Sequence, residues 1–205
     1  MILLSRLPLR LRRTILRLLR WRHRCGYGIH SPFAFAKVTG VIYERGTYYA
    51  YAPLQSAHPC PPRDMTHSDL RLLLRLSNET HPRRGWIIDR SGTDAPGDYL
   101  KAGCTSCRWM SFTADAPPSS TDATTDFAYI DTREHPTEWM DAALSHLTDG
   151  GAIIVRGIYR TEAARGAWQW LKEQDRVRVT FDLYDFGIAY VERRLNKENY
   201  IVSYH

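Results

Sequence analysis

Thr124 to Gly157 restricts the choice of fold more than any other stretch of the chain. It reads TTDFAYIDTREHPTEWMDAALSHLTDGGAIIVRG. An apolar run, Phe127 to Ile130, ends at a carboxylate, Asp131. Met140, Ala143, Leu144 and Leu147 then recur at i, i+3, i+4 and i+7, the spacing of one helix face. Gly150-Gly151 is the expected stop of that helix, and Ala152 to Val155 is a second apolar run. Strand, acid, helix, glycine pair and strand make one βαβ unit of a parallel sheet, with a right-handed crossover. Open α/β sheets bind ligands beyond the carboxyl ends of their strands. Asp131 therefore stands where a ligand would.

The remaining apolar runs extend the same sheet. Trp86 to Asp89 is a strand candidate, followed by the turn RSGTDAPG, and Cys107 to Phe112 is another. Residues 113–125 are loop by composition. Thr161 starts a helix with Ala164, Ala167, Trp168 and Leu171 on one face. Val177, Val179, Phe181 and Leu183 alternate as a strand, and FGIAYVE is its antiparallel partner. Upstream, Ser31-Pro32 is an N-cap and first-turn pair for a helix burying Phe35, Val38 and Ile42, with His30 a structural residue at that cap. Residues 46–65, rich in Tyr and Pro, read as a surface loop, after which Thr66 or Ser68 caps a helix carrying Leu70, Leu73 and Leu74. Two parts are expected: an extension over 1–65 and an α/β domain over 66–205.

With 205 residues, 43% of them hydrophobic, the chain can bury one sizeable core. No run approaches the roughly 18 apolar residues of a membrane span. Cys25, Cys60, Cys104 and Cys107 have no disulfide-framework spacing, so a reducing, cytoplasmic setting is expected. Cys104 and Cys107 lack the second Cys/His pair that a zinc site needs, and packing is their expected role.

The net charge of +6 is concentrated at one end. Eight Arg and Lys37 precede Glu44, the first acidic residue; taking those nine from the 28 cations leaves 19 against 22 acidic residues. A basic arm on a mildly acidic body argues against a nucleic-acid-binding core. Within the arm, Arg6, Arg10, Arg13, Arg17, Arg20 and Arg24 form one helical stripe, and Leu7, Leu11, Ile15 and Leu18 another. The expectation for this helix, near residues 8–23, is that the Leu face docks on the domain and the Arg stripe stays in water. Peripheral contact with the inner face of a membrane through residues 8–24 is the alternative.

These segments resemble a family. A βαβ series closed by an antiparallel hairpin looks like the class I S-adenosylmethionine-dependent methyltransferase fold, a Rossmann-like sheet. An Arg-rich helix followed by GIHSPFAF, with later FAYID, GGAIIV and VTFDLYDFGIAYVER, is similar to a bacterial O-methyltransferase-like group. The resemblance implies S-adenosylmethionine as cofactor, held by Asp89, Ser91 and Gly92 after the first strand and by Asp115 after the second. It places Asp131 at the catalytic position, with His135 beside it as a candidate acid/base partner; capping of the nearby loop is the other role open to Asp131.

Three departures from the family pattern shape the functional expectation. Arg90, Asp94 and Pro96 crowd the cofactor turn. Only Ala116 to Thr124 separates Asp115 from the next strand, too few residues for the strand and helices that would wall the adenine. Arg156-Gly157 stands where metal-dependent relatives carry acidic ligands, so no metal site is expected. Two functions stay open: O-methyl transfer to an unidentified small molecule through a reduced site, or a non-catalytic binding or scaffold module in which cofactor affinity is weak or lost.

Overall fold

Phe127 to Ile130 and Ala152 to Val155 lie side by side and parallel, Phe127 opposite Ala152 and Ile130 opposite Val155. This is seen in a computed structural model that describes residues 7–23, 28–89, 92–112, 124–131 and 135–204. The two runs belong to strands β3 (Thr125–Asp131) and β4 (Leu147–Arg156). β1 (Arg84–Asp89) pairs in parallel with β3 on one side and with β2 (Arg108–Phe112) on the other. Beyond β4 come β5 (Val179–Asp182), β6 (Phe186–Val191) and β7 (Glu198–Ile201). The order is β2-β1-β3-β4-β6-β5-β7, and β6 runs antiparallel to both of its neighbours.

Among the described residues seven α-helices flank the sheet: α1 (Leu9–Leu19), α2 (Pro32–Lys37), α3 (Tyr51–Ala57), α4 (His67–Thr80), α5 (Ala95–Gly103), α6 (Pro136–His146) and α7 (Glu162–Glu173). Alternate residues of β3 serve different faces. Phe127 and Tyr129 pack with Val38, Leu70, Leu73 and Leu100 from α4, α5 and the segment after α2. Ala128 and Ile130 pack with Trp139, Met140 and Trp168 from α6 and α7. Burial on both faces is why these strands read as continuous apolar runs. The expected caps form: Ser31 accepts from the Ala34 amide, Thr161 accepts from the Ala164 amide, and Thr66 makes a capping box with Asp69.

The structure corrects four expectations. α6 ends at His146, and Gly150-Gly151 lies within β4, because Leu147 is extended and pairs with Thr125. The 46–65 segment contains α3, anchored by buried Tyr51. β7, whose side chains are alternately half-buried and exposed, gave no apolar run to read.

The fourth correction concerns the arm. α1 docks, but through Arg12, Leu16 and Arg20, which are buried, while Leu11 and Leu18 face solvent. Ion pairs explain the reversal. Arg12 meets Asp185 at 2.9 Å, Arg13 meets Asp69 at 2.5 Å, and Arg20 meets Asp182 at 2.9 Å. Three guanidiniums find fixed carboxylate partners on the domain, and these directional pairs set which face of the helix turns inward.

Candidate functional site

The strands here are all parallel, but the order in which the chain adds them reverses at β1, with β2 laid down on one side and β3 on the other. Such a switch point opens a crevice at the carboxyl ends of the strands. Asp89 and Asp131 are register partners at that edge, and Arg156 ends β4 beside them.

Asp131 is buried and held from two directions. Arg156 Nη1 donates to its Oδ2 and Arg160 Nη1 to its Oδ1, the latter at 2.7 Å. Arg156 also donates to the Arg63 carbonyl at 2.5 Å, tying the segment before α4 over the strand ends. Burial alone would lower the Arg156 pKa, but the charge of Asp131, the hydrogen bond to it and the neighbouring Tyr129 and Asp89 together more than offset this and leave it above its ordinary value. Gly157 makes the arrangement feasible. Its φ is +74°, and a Cβ there would stand 2.7 Å from the Arg160 guanidinium. The short turn therefore folds Arg160 back toward Asp131, its amide bonded to the Gly157 carbonyl at 2.8 Å.

A second carboxylate cluster adjoins the first. Asp182, at the end of β5, accepts from Arg20 and from the Tyr159 hydroxyl, the latter at 2.5 Å. Tyr159 stacks on Tyr184 with ring centroids 5.0 Å apart, and Arg12 and Arg20 lie over the Tyr184 ring at 5.9 and 5.5 Å. Burial, then the nearby Asp182, pushes the Tyr159 phenol well above its usual pKa. Tyr184 has φ +72°, with its amide bonded to Asp182 Oδ1 at 2.9 Å, the local bond that holds a tight turn. Between the two clusters remains a cavity of about 40 Å³, lined by Arg12, Asp64, Arg156, Tyr184 and Asp185. That admits a few water molecules and no organic substrate.

The sequence-derived site residues fall in different places. Asp131 is the centre of the arginine clamp. His135 caps α6 with φ +48° and an exposed ring, its Nδ1 3.1 Å from Glu138 Oε1. The structure thus gives Asp131 and His135 separate partners. Asp89 closes β1, and Gly92 follows with φ +78° and open space about its α-carbon. Ser91 and Asp115 lie outside the described residues. Beneath the edge, the Tyr129 hydroxyl is wholly buried without a hydrogen-bond partner among the described residues. Arg160, Arg12 and Arg20 were not anticipated at this site. The signal for Arg160 was Gly157, a residue able to turn the chain back; the arm carried none, because its Arg spacing alone fits either face.

Compared by sequence, the chain matches no family model and no curated protein. Its structure does match solved ones. The O-methyltransferase TomG from Streptomyces achromogenes, solved in complex with SAM, superposes with a TM-score of 0.52 at 16% identity, over 72% of this chain and 91% of that one. An O-methyltransferase from Bacillus cereus in complex with SAH gives 0.52 at 14% identity, over 71% and 91%. The Podospora anserina methyltransferase PaMTH1, SAH-bound, gives 0.57 at 9% identity, over 79% and 97%. The fold is that of a class I S-adenosylmethionine-dependent methyltransferase. Within this methyltransferase fold, β3 and β4 carry the Asp131–Arg156 pair, and the arm packs its arginines beside it.

Proposed function

We propose that this chain is a methyltransferase-fold binding or scaffold module that does not perform metal-assisted methyl transfer, and whose affinity for S-adenosylmethionine is weak or lost. One observation carries this reading: both carboxylate oxygens of Asp131 are engaged by arginines, Arg156 and Arg160. A divalent cation needs several oxygen ligands. Here the buried carboxylate is already neutralised, and two guanidiniums stand where further ligands would be. The residues present do not fit a metal.

A nucleoside fits better than a metal does. Asp89 followed by a glycine with positive φ keeps the outline of a turn that a ligand can approach closely. The unpartnered Tyr129 hydroxyl beneath it is a polar group that a bound molecule or water would satisfy. Asp89, Ser91, Gly92 and Asp115 would hold S-adenosylmethionine, which supplies an electrophilic methyl group when bound. This retained turn favours a second reading, a metal-independent O-methyltransferase for a small molecule with His135 as base.

Calorimetric titration of the full chain with S-adenosylmethionine and S-adenosylhomocysteine separates the two. The first reading expects no saturable heat, or a Kd weaker than about 100 µM. A low-micromolar Kd abolished by Asp89→Ala would replace it with the second. Methyl transfer stimulated by magnesium and lost on chelation would overturn both.

A further inference from the structure

An apolar stripe running through α1 is covered only in part by its own domain: Leu7 and Ile15 are half-buried, while Leu11 and Leu18 are exposed. At about 100° per residue, Leu7, Leu11, Ile15 and Leu18 fall within about 80° of arc, centred about 140° from the Arg12–Leu16–Arg20 line. The domain buries that second line. On the outer side Leu11 is 50% exposed, Leu18 74% and Leu19 68%, and Trp21, just beyond the helix, 59%. Scattered exposed leucines need no explanation, but Leu11, Leu18, Leu19 and Trp21 exposed together on one short segment do.

The charge around the stripe decides what covers it. Arg17 and Arg22 are exposed along the same segment. Arg17, Leu18 and Trp21 line an open groove of about 800 Å³ that Arg45 and Arg71 also line. None of these four arginines has a carboxylate ion-pair partner among the described residues. Glu44, which borders the same groove, accepts from the Gly46 amide. No acidic residue precedes Glu44 in the sequence, so nothing in the arm repels an anionic surface.

We propose that this face seats on a membrane surface bearing anionic phospholipid. α1 lies in the plane of the interface, with Leu11, Leu18, Leu19 and Trp21 at the acyl boundary and Arg17 and Arg22 among the headgroups. Arg12, Leu16 and Arg20 meanwhile keep the helix fastened to the domain, so the arm is a layer between protein and lipid. No helix among the described residues is long and apolar enough to cross a membrane; this contact stays at the surface. The inference goes beyond the cofactor question and holds whichever way that is settled.

Sedimentation of the full chain with vesicles tests it. The chain should pellet with phosphatidylcholine vesicles containing phosphatidylglycerol, stay in solution with phosphatidylcholine alone, and be released progressively as salt rises toward about 0.5 M. Leu11→Ser with Leu18→Ser, and separately Arg17→Gln with Arg22→Gln, should each weaken partitioning by about tenfold or more. Both double variants should melt at the parental temperature, because all four side chains are exposed. Failure to pellet with the anionic vesicles, or double variants that bind like the parent, would overturn the proposal. So would a dimer in sedimentation equilibrium that the Leu11/Leu18 variant abolishes, since a second copy would then own the stripe.

Discussion

Arg156 leaves the end of β4 and donates into the carboxylate of Asp131 at the end of the parallel neighbour β3, with both side chains almost wholly buried. The pair fills the edge of the sheet where this fold offers its ligand site. Two strands are thereby joined by charge at the point where their backbone pairing ends.

Removing one member should be costly. Arg156→Met leaves Asp131 buried with Arg160 as its remaining ion-pair partner and should lower stability by about 3–5 kcal/mol in urea unfolding. Adding Asp131→Leu to that variant should recover most of the loss, because the buried carboxylate that Arg160 pairs on one side only is gone. A single variant as stable as the parent would mean that Arg160, with water, satisfies Asp131 without Arg156.

The two faces of α1 should respond oppositely to substitution. Arg20→Ala removes the bonds to the Asp182 carbonyl and carboxylate, both 2.9 Å, and should cost about 3 kcal/mol. Leu11→Ala, on the exposed face, should change stability by no more than about 0.5 kcal/mol. Chemical denaturation of the two variants side by side checks the orientation of the helix directly. The opposite ranking would restore the leucine-inward arrangement.

Asp126 gives stability an acid limit. Burial raises its pKa, but hydrogen bonds from Thr148 and from the amides of Arg84 and Arg83, together with the Arg84 charge, more than offset this and leave it below the ordinary 3.8. A carboxyl that is more acidic folded than unfolded contributes stability above the unfolded pKa and loses it as pH falls through the folded one, here below about pH 4. Urea midpoints measured from pH 6 down to pH 3 should fall in that window, and Asp126→Asn should flatten the decline. An unchanged slope in the variant would assign the acid sensitivity elsewhere.

Thiol reactivity should separate the cysteines. Cys60 is exposed, while Cys104 and Cys107 are buried. Burial, with Cys104 and Asp126 nearby, pushes the Cys107 pKa up to about 12. At pH 8 it is therefore a thiol and a poor nucleophile. Brief alkylation of the native protein followed by peptide mass mapping should find Cys60 modified and Cys104 and Cys107 untouched. Prompt labelling of Cys107 would show that the edge beside β2 opens readily.

What could be read in advance followed from local periodicity. β3, α6 and β4 announce themselves because each buries a face whose repeat is written in consecutive residues. The Asp131 position was legible for the same reason, since it ends a strand. Its partners were less so. Arg156 was visible as an oddity, but that it would neutralise Asp131 depended on two strand ends meeting in space. The arm was read with the wrong face inward because hydrophobic period assumes that leucine prefers the interior to arginine. That preference fails where Asp69, Asp182 and Asp185 supply fixed counter-charges from distant parts of the chain. β7 had no period to read.

The attachment of the arm also orders events in time. Arg20 finds Asp182 162 positions later, and the Ser203 amide bonds back to the carbonyl of His23. On a ribosome adding about 5–20 residues per second, Arg12 and Arg20 wait on the order of ten seconds or more for Asp185 and Asp182, long after Asp69 has been supplied to Arg13. During that interval its arginines are open to protease and its leucines to any passing surface. Nascent chains stalled before residue 182 should be clipped by trypsin within the arm, and protection should appear only once the β5–β6 hairpin has emerged.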